Sequence, residues 1–336
     1  MRTVFRFFVV LLFLAVAAGG FGAWYVLHEF DAPGPVAANG AEETVVSVPL
    51  GTGLNQTAGI LEKAGVVNDP IVFRIGVLVN RKAAALKAGE YAIPSRASPS
   101  QIMNILIEGK SIVYKLTLPE GITSAMIVDL VRKHPMLQGD VAEIPAEGSL
   151  LPETYVFDRG TTRAALIKRM QDDHIRVVDE LWVGRAPNLP FTTKEEAVIL
   201  ASIVEKETGL AEERPRVAAV FVNRLRKGMR LQSDPTIIYG LTKGVPLGRG
   251  IRQSELDKAT PYNTYVIPGL PPTPIANPGK ASLAAVMNPA PTEDLYFVAN
   301  GTGGHAFAAT MAEHEKNVAA WREIERKAAA TPPAPR

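Results

Sequence analysis

Thr192-Thr193-Lys194-Glu195-Glu196-Ala197-Val198-Ile199-Leu200-Ala201-Ser202-Ile203-Val204-Glu205-Lys206-Glu207-Thr208-Gly209 carries a strong helical signature. Thr193 reads as an N-cap with Glu196 three residues on, the pairing of a capping box. Gly209 is a good stop. From Ala197 to Val204 the segment is apolar on nearly every side, which predicts a buried central helix. Two carboxylates end it. Glu205 and Glu207 are two positions apart, about 200° around a helix, so they cannot face the same site. Glu207 follows Val204, Ile203 and Leu200 on the most apolar stripe, while Glu205 follows Ala201 and Val198 on a thinner one. Glu207 is therefore the better candidate for a carboxyl in a low-dielectric cleft. Burial there favours the neutral form, which a general acid near neutral pH requires. The alternative is that both glutamates are solvated residues of a last turn, paired with Lys206 or Arg214.

Downstream, Ala211 to Lys227 reads as a second helix with a stripe of Val217, Val220, Phe221, Arg224 and Leu225, stopped by Gly228. In the loop that follows, Asp234 before Pro235 is an N-cap signal; capping does not account for Gln232 and Ser233 beside it. Pro261-Tyr262-Asn263-Thr264-Tyr265 alternates aromatic with amide or hydroxyl groups and leads into the rigid loop Gly269-Leu270-Pro271-Pro272-Thr273-Pro274-Ile275-Ala276-Asn277-Pro278-Gly279. Aromatic faces with amides and hydroxyls suit sugar rings, and a purely structural loop is the equal alternative. Leu295 to Ala299 reads as a strand, Asn300-Gly301 as a tight turn, and Gly303-Gly304-His305-Ala306-Phe307 as the return. A lone histidine such as His305 is more often structural than catalytic. Thr310 and Glu313 form a capping box for a last helix through Trp321 to Lys327.

Upstream, Val45 to Val48 is a strand signal, Ile60 and Leu61 mark a helix, Lys87 to Ile93 reads as a turn into a strand, and Ser98 opens a helix carrying Ile102, Ile105 and Leu106. Leu118-Pro119-Glu120-Gly121 echoes Val48-Pro49-Leu50-Gly51, a weak internal repeat. Modules of this shape often bind polysaccharide; an α+β spacer that lifts the next domain off a membrane is as good a reading. Phe7 to Leu27 is a run of 21 residues without a charge, the length of a bilayer's hydrocarbon core. Arg2 and Arg6 precede it and Glu29 and Asp31 follow, which places the N-terminus in the cytoplasm. Trp24 and Tyr25 stand at its far edge. A cleaved signal peptide, cut after Ala15-Val16-Ala17, is the competing reading, but it would leave Phe21 to Leu27 as an exposed apolar stub. Asp31 to Thr44 is rich in Pro, Gly and Ala and reads as a linker.

The 336 residues hold 36 Lys plus Arg against 34 Asp plus Glu, a formal +2 that gives no sign of a nucleic-acid footprint. With no cysteine, disulfides, Cys-ligated zinc and thiol nucleophiles are excluded. Five histidines without H-E-x-x-H spacing argue against a metal site. Neither G-x-S-x-G, S-x-x-K nor a P-loop occurs, so serine-hydrolase and nucleotide chemistry have no support and no cofactor is expected.

Taken together, several strings resemble one family. They are Glu147-Gly148-Ser149-Leu150-Leu151-Pro152-Glu153-Thr154-Tyr155, Leu200 to Thr208, Phe221-Val222-Asn223-Arg224-Leu225, Arg230 to Thr236, Tyr262 to Tyr265, Gly269 to Gly279 and Gly303 to Phe307. The chain resembles the membrane-anchored endolytic murein transglycosylases of the MltG (YceG-like) family over nearly its whole length. That resemblance implies an α+β protein with a single N-terminal transmembrane helix, a small LysM-like α/β module and a mixed catalytic domain built around a buried helix. The implied segments are a cytoplasmic N-terminus (1–6), an anchor in the lipid bilayer (7–27), a linker (28–44), the LysM-like module (45–145), the catalytic domain (146–327) and a disordered tail (328–336). The implied catalytic acid is Glu207. Implied substrate contacts are Glu153, Thr154, Tyr155, Asn223, Arg224, Gln232, Ser233, Asp234, Thr236, Tyr262, Asn263, Thr264, Tyr265, Pro271, Pro272, Asn277 and His305. The first motif departs from the aromatic and Asp variant of many members, which leaves the role of Glu153 open.

The family's reaction cuts the β-1,4 bond between N-acetylmuramic acid and N-acetylglucosamine in peptidoglycan without water, leaving 1,6-anhydro ends and terminating nascent strands. The implied partners are glycan strands and the synthases of the penicillin-binding class, with no nucleic acid. The implied location is the cytoplasmic (inner) membrane, with the catalytic domain on the extracytoplasmic side. A noncatalytic peptidoglycan-binding scaffold is the alternative from another class. A hydrolase using Glu207 with Glu153 or Asp234 is a third.

Overall fold

The alternation at Glu43–Val48 becomes strand β1, with Val46 and Val48 turned inward and Val45 and Ser47 outward, the period-2 pattern of a half-buried strand. β1 pairs antiparallel with β2 (Gly89–Pro94), Val46 opposite Tyr91 and Val48 opposite Gly89. The computed structural model describes residues 2–330. The long apolar helix α1 (Arg2–Asp31) precedes the strands, and α2 (Leu54–Lys63), α3 (Pro70–Val79) and α4 (Pro99–Glu108) accompany them. Ser98 and Gln101 form a reciprocal capping box at the start of α4. α3 has no counterpart in the sequence reading. The Asp69 carboxylate accepts the Ile71 N–H at its start, and Pro70 supplies a first-turn φ. Leu61, Phe73, Val77, Tyr91, Ile93, Ile102 and Leu106 make one core from these elements.

The chain forms two compact units. The first comprises residues up to Lys115 with Val156–Thr161, and the second Leu116–Tyr155 with the residues from Thr162 onward. Strands β3 (Val113–Thr117) and β4 (Thr154–Asp158) pair with each other, and along both the chain passes from one unit to the other. Residues 116–145, grouped with the first module in the sequence reading, lie in the second unit. α1 runs on to Asp31, into the stretch that reads as linker. Within that stretch Gly34 N–H donates to Arg96 O and Arg96 N–H donates to Pro35 O.

In the second unit, α5 (Ser124–Lys133) and α6 (Arg163–Val183) precede α7 (Lys194–Glu207). Then come α8 (Arg214–Arg226), α9 (Asp234–Thr242), the short α10 (Gln253–Leu256) and α11 (Lys280–Met287). Strands β5 (Tyr296–Ala299) and β6 (His305–Ala308) form an antiparallel hairpin, and α12 (Met311–Ala330) closes the described chain. Thr310 and Glu313 cap α12 as their spacing requires. Of the tail expected to be disordered from 328, α12 takes in the first three residues; 331–336 lie outside the described residues.

The arrangement is a mixed α+β one with one apolar N-terminal helix. All eight residues from Ala197 to Val204 of α7 are buried. They meet Val217 and Phe221 of α8 and Leu283 and Val286 of α11 in one core, because a helix apolar all round is stable only when enclosed. Leu200→Ala is expected to lower unfolding free energy by about 2–5 kcal/mol. Equilibrium denaturation checks this; a loss below 1 kcal/mol would show the core collapsing freely around the deletion.

Candidate active site

The capping box read at the start of α7 forms: Glu196 N–H donates to Thr193 Oγ1, and the Glu196 carboxylate accepts the Thr193 N–H. At the other end the two carboxylates part as their helical phase requires. Glu205 Oε2 accepts the Gly279 N–H at 2.9 Å, and its Oε1 lies 3.5 Å from Arg214 Nη2. Lys206 Nζ donates to Gly121 O. Glu205 thus ties the helix end to the Pro-rich loop.

Glu207 points elsewhere. Its Oε1 accepts a 2.5 Å hydrogen bond from Ser233 Oγ. The residue keeps some exposed surface, but burial of the carboxyl pushes its pKa up to about 7, opposed by the Ser233 hydroxyl, reinforced by nearby Asp234 and opposed again by Arg224. Glu207 is also the last residue of α7, where unpaired carbonyls carry partial negative charge and disfavour a carboxylate. Desolvation thus favours the protonated form of this group well above the usual carboxyl range.

Ser233 is fully buried and immobilised on several sides. Its N–H donates to Thr264 Oγ1 and its carbonyl accepts the Thr236 hydroxyl, which itself lies 2.9 Å from Thr264 Oγ1. The sequence places the α9 N-cap at Asp234; the structure places it at Ser233, whose hydroxyl makes no capping bond because Glu207 takes it. The preceding Gln232 has φ +54°, a left-handed conformation uncommon outside glycine. Its N–H donates to Thr264 O. Arg224 holds this loop from below: Nε donates to Leu295 O, and Nη1 reaches the carbonyls of Arg230 and Leu231 and the Gln232 side chain.

Gln232 and Asp234 are exposed on either side of Ser233. Tyr265 Oη donates to Asp234 Oδ1 at 2.7 Å, and burial with the Asp234 contact pushes the phenol's pKa up. Tyr262 Oη lies 2.8 Å from Thr273 Oγ1, and its ring packs on Tyr239 beneath the Lys243 ammonium. Glu207, Gln232, Ser233, Asp234, Thr236, Thr264 and Tyr265 therefore gather in one place, with Arg224 behind them.

Other residues singled out in the sequence are engaged inside the fold. Asn263 Nδ2 donates to the carbonyls of Glu255, Leu256 and Lys258. Asn223 Nδ2 donates to Thr292 O and Asp294 O. Asn277, buried, joins Ile122 O, Ser124 Oγ, Glu147 and the Leu150 N–H. Tyr155 is a core residue whose hydroxyl donates to Leu151 O. Thr154 is exposed, 3.0 Å from Thr117 Oγ1, and Glu153 is exposed. Pro271 is buried and Pro272 exposed. His305 Nδ1 lies 2.7 Å from Glu213 Oε2, and its N–H donates to Glu213 Oε1. Thr208, next to Glu207, shares that carboxylate. A Cβ on Gly304 would fall 2.5 Å from Glu213 Oε1, so the double glycine lets the hairpin approach.

Two carboxylates escaped the sequence reading. Glu213 is held below its usual pKa range by His305 and Thr208 against the cost of burial. Glu147 is pushed up by burial and faces Ser124 and the Tyr239 hydroxyl. It lines a cavity of about 620 Å³ with His174, Lys194, Ile199, Pro272 and Thr273; Glu207 is not part of that lining. The glutamate opening the Glu147–Tyr155 motif was the available signal. Among the described residues no group of three His, Asp or Glu could hold a metal ion.

Ser233→Ala should raise the Glu207 pKa by about one unit, since a hydrogen bond to the ionised form is removed. Carboxyl-resolved NMR titration reads the midpoint, and an unmoved or lowered midpoint contradicts the geometry. A second expectation concerns stability. Because the folded pKa exceeds the ordinary 4.5, the folded state binds the proton more tightly and loses stability as pH rises from 4.5 to about 7. Glu207→Gln should remove that loss, gaining roughly 3 kcal/mol over wild type across this window. Parallel denaturation curves at both ends of the window check it; equal pH slopes would refute it.

A YceG-like family model matches residues 46–320. An endolytic murein transglycosylase of Streptococcus pneumoniae strain R6 is 31% identical over 93% of this chain, which spans 64% of that relative's length. Another, of Bacillus subtilis strain 168, is 29% identical over 84% of this chain and 86% of its own. A crystal structure from Listeria monocytogenes, described as YceG-like, superposes with a TM-score of 0.49 at 30% identity, covering 82% of this chain and 99% of that one. With that family model matched over residues 46–320, most of its length, the chain belongs to the YceG-like family.

Proposed function

We propose that this chain is a membrane-anchored endolytic lytic transglycosylase of peptidoglycan. Its reaction is cleavage of the β-1,4 bond from N-acetylmuramic acid to N-acetylglucosamine, with formation of 1,6-anhydro ends. The observation that carries the reading is the buried Glu207 carboxyl, whose pKa desolvation raises and whose Oε1 is held by Ser233. The names of the pneumococcal and Bacillus relatives agree with it.

Chemically, Glu207 gives its proton to the glycosidic oxygen as the C1–O bond breaks. The C6 hydroxyl of the same muramyl residue attacks C1, and the Glu207 carboxylate takes that hydroxyl's proton. One bond breaks and one forms, no water is consumed, and the glutamate ends as it began. A hydrolase needs a second carboxyl as nucleophile or base. Here the nucleophile belongs to the substrate, so proximity replaces that group. A pKa near neutrality suits a residue that must donate and then accept. With Oε1 engaged by Ser233, Oε2 is the oxygen left to face the leaving group.

Gln232, Asp234, Tyr262 and Tyr265 are the residues placed to meet sugar rings. Arg224, Thr236, Asn263 and Thr264 hold them in position. Residues 45–145 are read as a LysM-like module, α1 as a single-pass anchor with its N-terminus in the cytoplasm, and the synthases that extend nascent strands as partners.

The test is mass spectrometry of muropeptides released from purified peptidoglycan. Wild type should yield anhydro ends, and Glu207→Gln should yield at least about a hundredfold less, the scale of a lost general acid. Glu205→Gln, which alters the tie to Gly279, should keep the anhydro product. Undiminished release by Glu207→Gln sinks the proposal; reducing ends from wild type would make the chain a hydrolase, and no cleavage a scaffold.

A further inference from the structure

Helix α3 is apolar on two faces, and only one of them is used. Val72, Phe73, Gly76 and Val77 are buried in the core of the first unit. On the opposite arc Ile71, Ile75, Leu78 and Val79 are exposed, by 56, 38, 55 and 60%. Positions i, i+4, i+7 and i+8 share one side of a helix. A contiguous apolar strip of this kind on a water-facing surface marks an interaction site.

What covers it follows from where α3 is fixed. Its Gly76 receives the Phe30 ring of α1 so closely that a Cβ there would lie 2.1 Å from the ring. α1 carries a 23-residue span, Val9–Asp31, long and apolar enough to cross a membrane. At 1.5 Å per residue that span is about 35 Å, against a hydrocarbon core of about 30 Å and a bilayer of 40–45 Å with its headgroups. Phe30, next to last in the span, therefore belongs to the headgroup layer, and so does the helix docked on it. Tyr25, an aromatic of the kind that marks this layer, lines a small recess with Asn68, Asp69 and Val72 at the start of α3. At its other end Arg81 and Lys82 are exposed, ready to meet lipid phosphates.

We infer that the Ile71–Ile75–Leu78–Val79 face of α3 is embedded in the acyl–headgroup boundary of the bilayer, beside α1. The chain thus touches the membrane at two places, a spanning helix and an interfacial one. The inference rests on reading α1 as a membrane anchor.

The absence of native cysteine makes the test direct. The full chain is placed in vesicles of phosphatidylethanolamine and phosphatidylglycerol with single substitutions Ile75→Cys or Leu78→Cys carrying an environment-sensitive fluorophore. Leu14→Cys on α1 and Lys63→Cys on α2 serve as controls. Brominated lipids should quench the labels at 75 and 78 severalfold more than the label at 63, and their emission should be blue-shifted. Strong quenching at 14 with none at 75 and 78 overturns the inference while leaving the anchor intact. Failure at 14 would overturn the anchor reading itself and this inference with it. Shielding that is insensitive to bromine but lost on diluting the protein among the lipids would assign the face to a second copy instead.

Discussion

The hydrogen bond from Ser233 to Glu207 is the contact on which the groups of the candidate site converge. Removing a carboxyl from water favours its neutral form by several kcal/mol, whereas one hydrogen bond to its ionised form returns about 1.5–3 kcal/mol. Burial wins, and the outcome is a pKa of about 7 rather than a permanently neutral acid. The balance requires that the hydroxyl stay in place. Thr264 fixes the Ser233 N–H, Thr236 its carbonyl, and Arg224 the carbonyls just upstream. Arg224 suits this task because its fork can hold several acceptors at once, which a lysine ammonium at the same point could not do with the same geometry.

Much of this frame is legible in the sequence because it is local. The cap at Thr193, the apolar run from Ala197 to Val204 and the phase of Glu207 depend on residues within a few turns of one another. The hairpin of β5 and β6 and the cap at Thr310 are equally local. α3 escaped because nine of its ten residues are apolar or glycine, Arg74 being the exception, leaving no alternation or single stripe to read.

The division of labour within the motifs was not legible. Asn277 and Gln232 look alike as amides in Pro- and Ser-rich loops. Yet Asn277 joins strands of chain more than 120 residues apart, while Gln232 stands exposed beside the carboxyl. The same ambiguity covers Asn223, Asn263 and Tyr155, whose polar atoms meet distant or neighbouring carbonyls. Residue type announces that a polar group will be satisfied; only the three-dimensional path of the chain says by what.

The contact of Phe30 with Gly76 has a mechanical consequence. A spanning helix adjusts its tilt to the thickness of the lipid around it. A flexible tether would absorb that change, but here the helix continues into the first unit and its Phe30 ring packs directly on Gly76 of α3. On the proposed reading of α1 as an anchor, bilayer thickness bears on the orientation of the first unit.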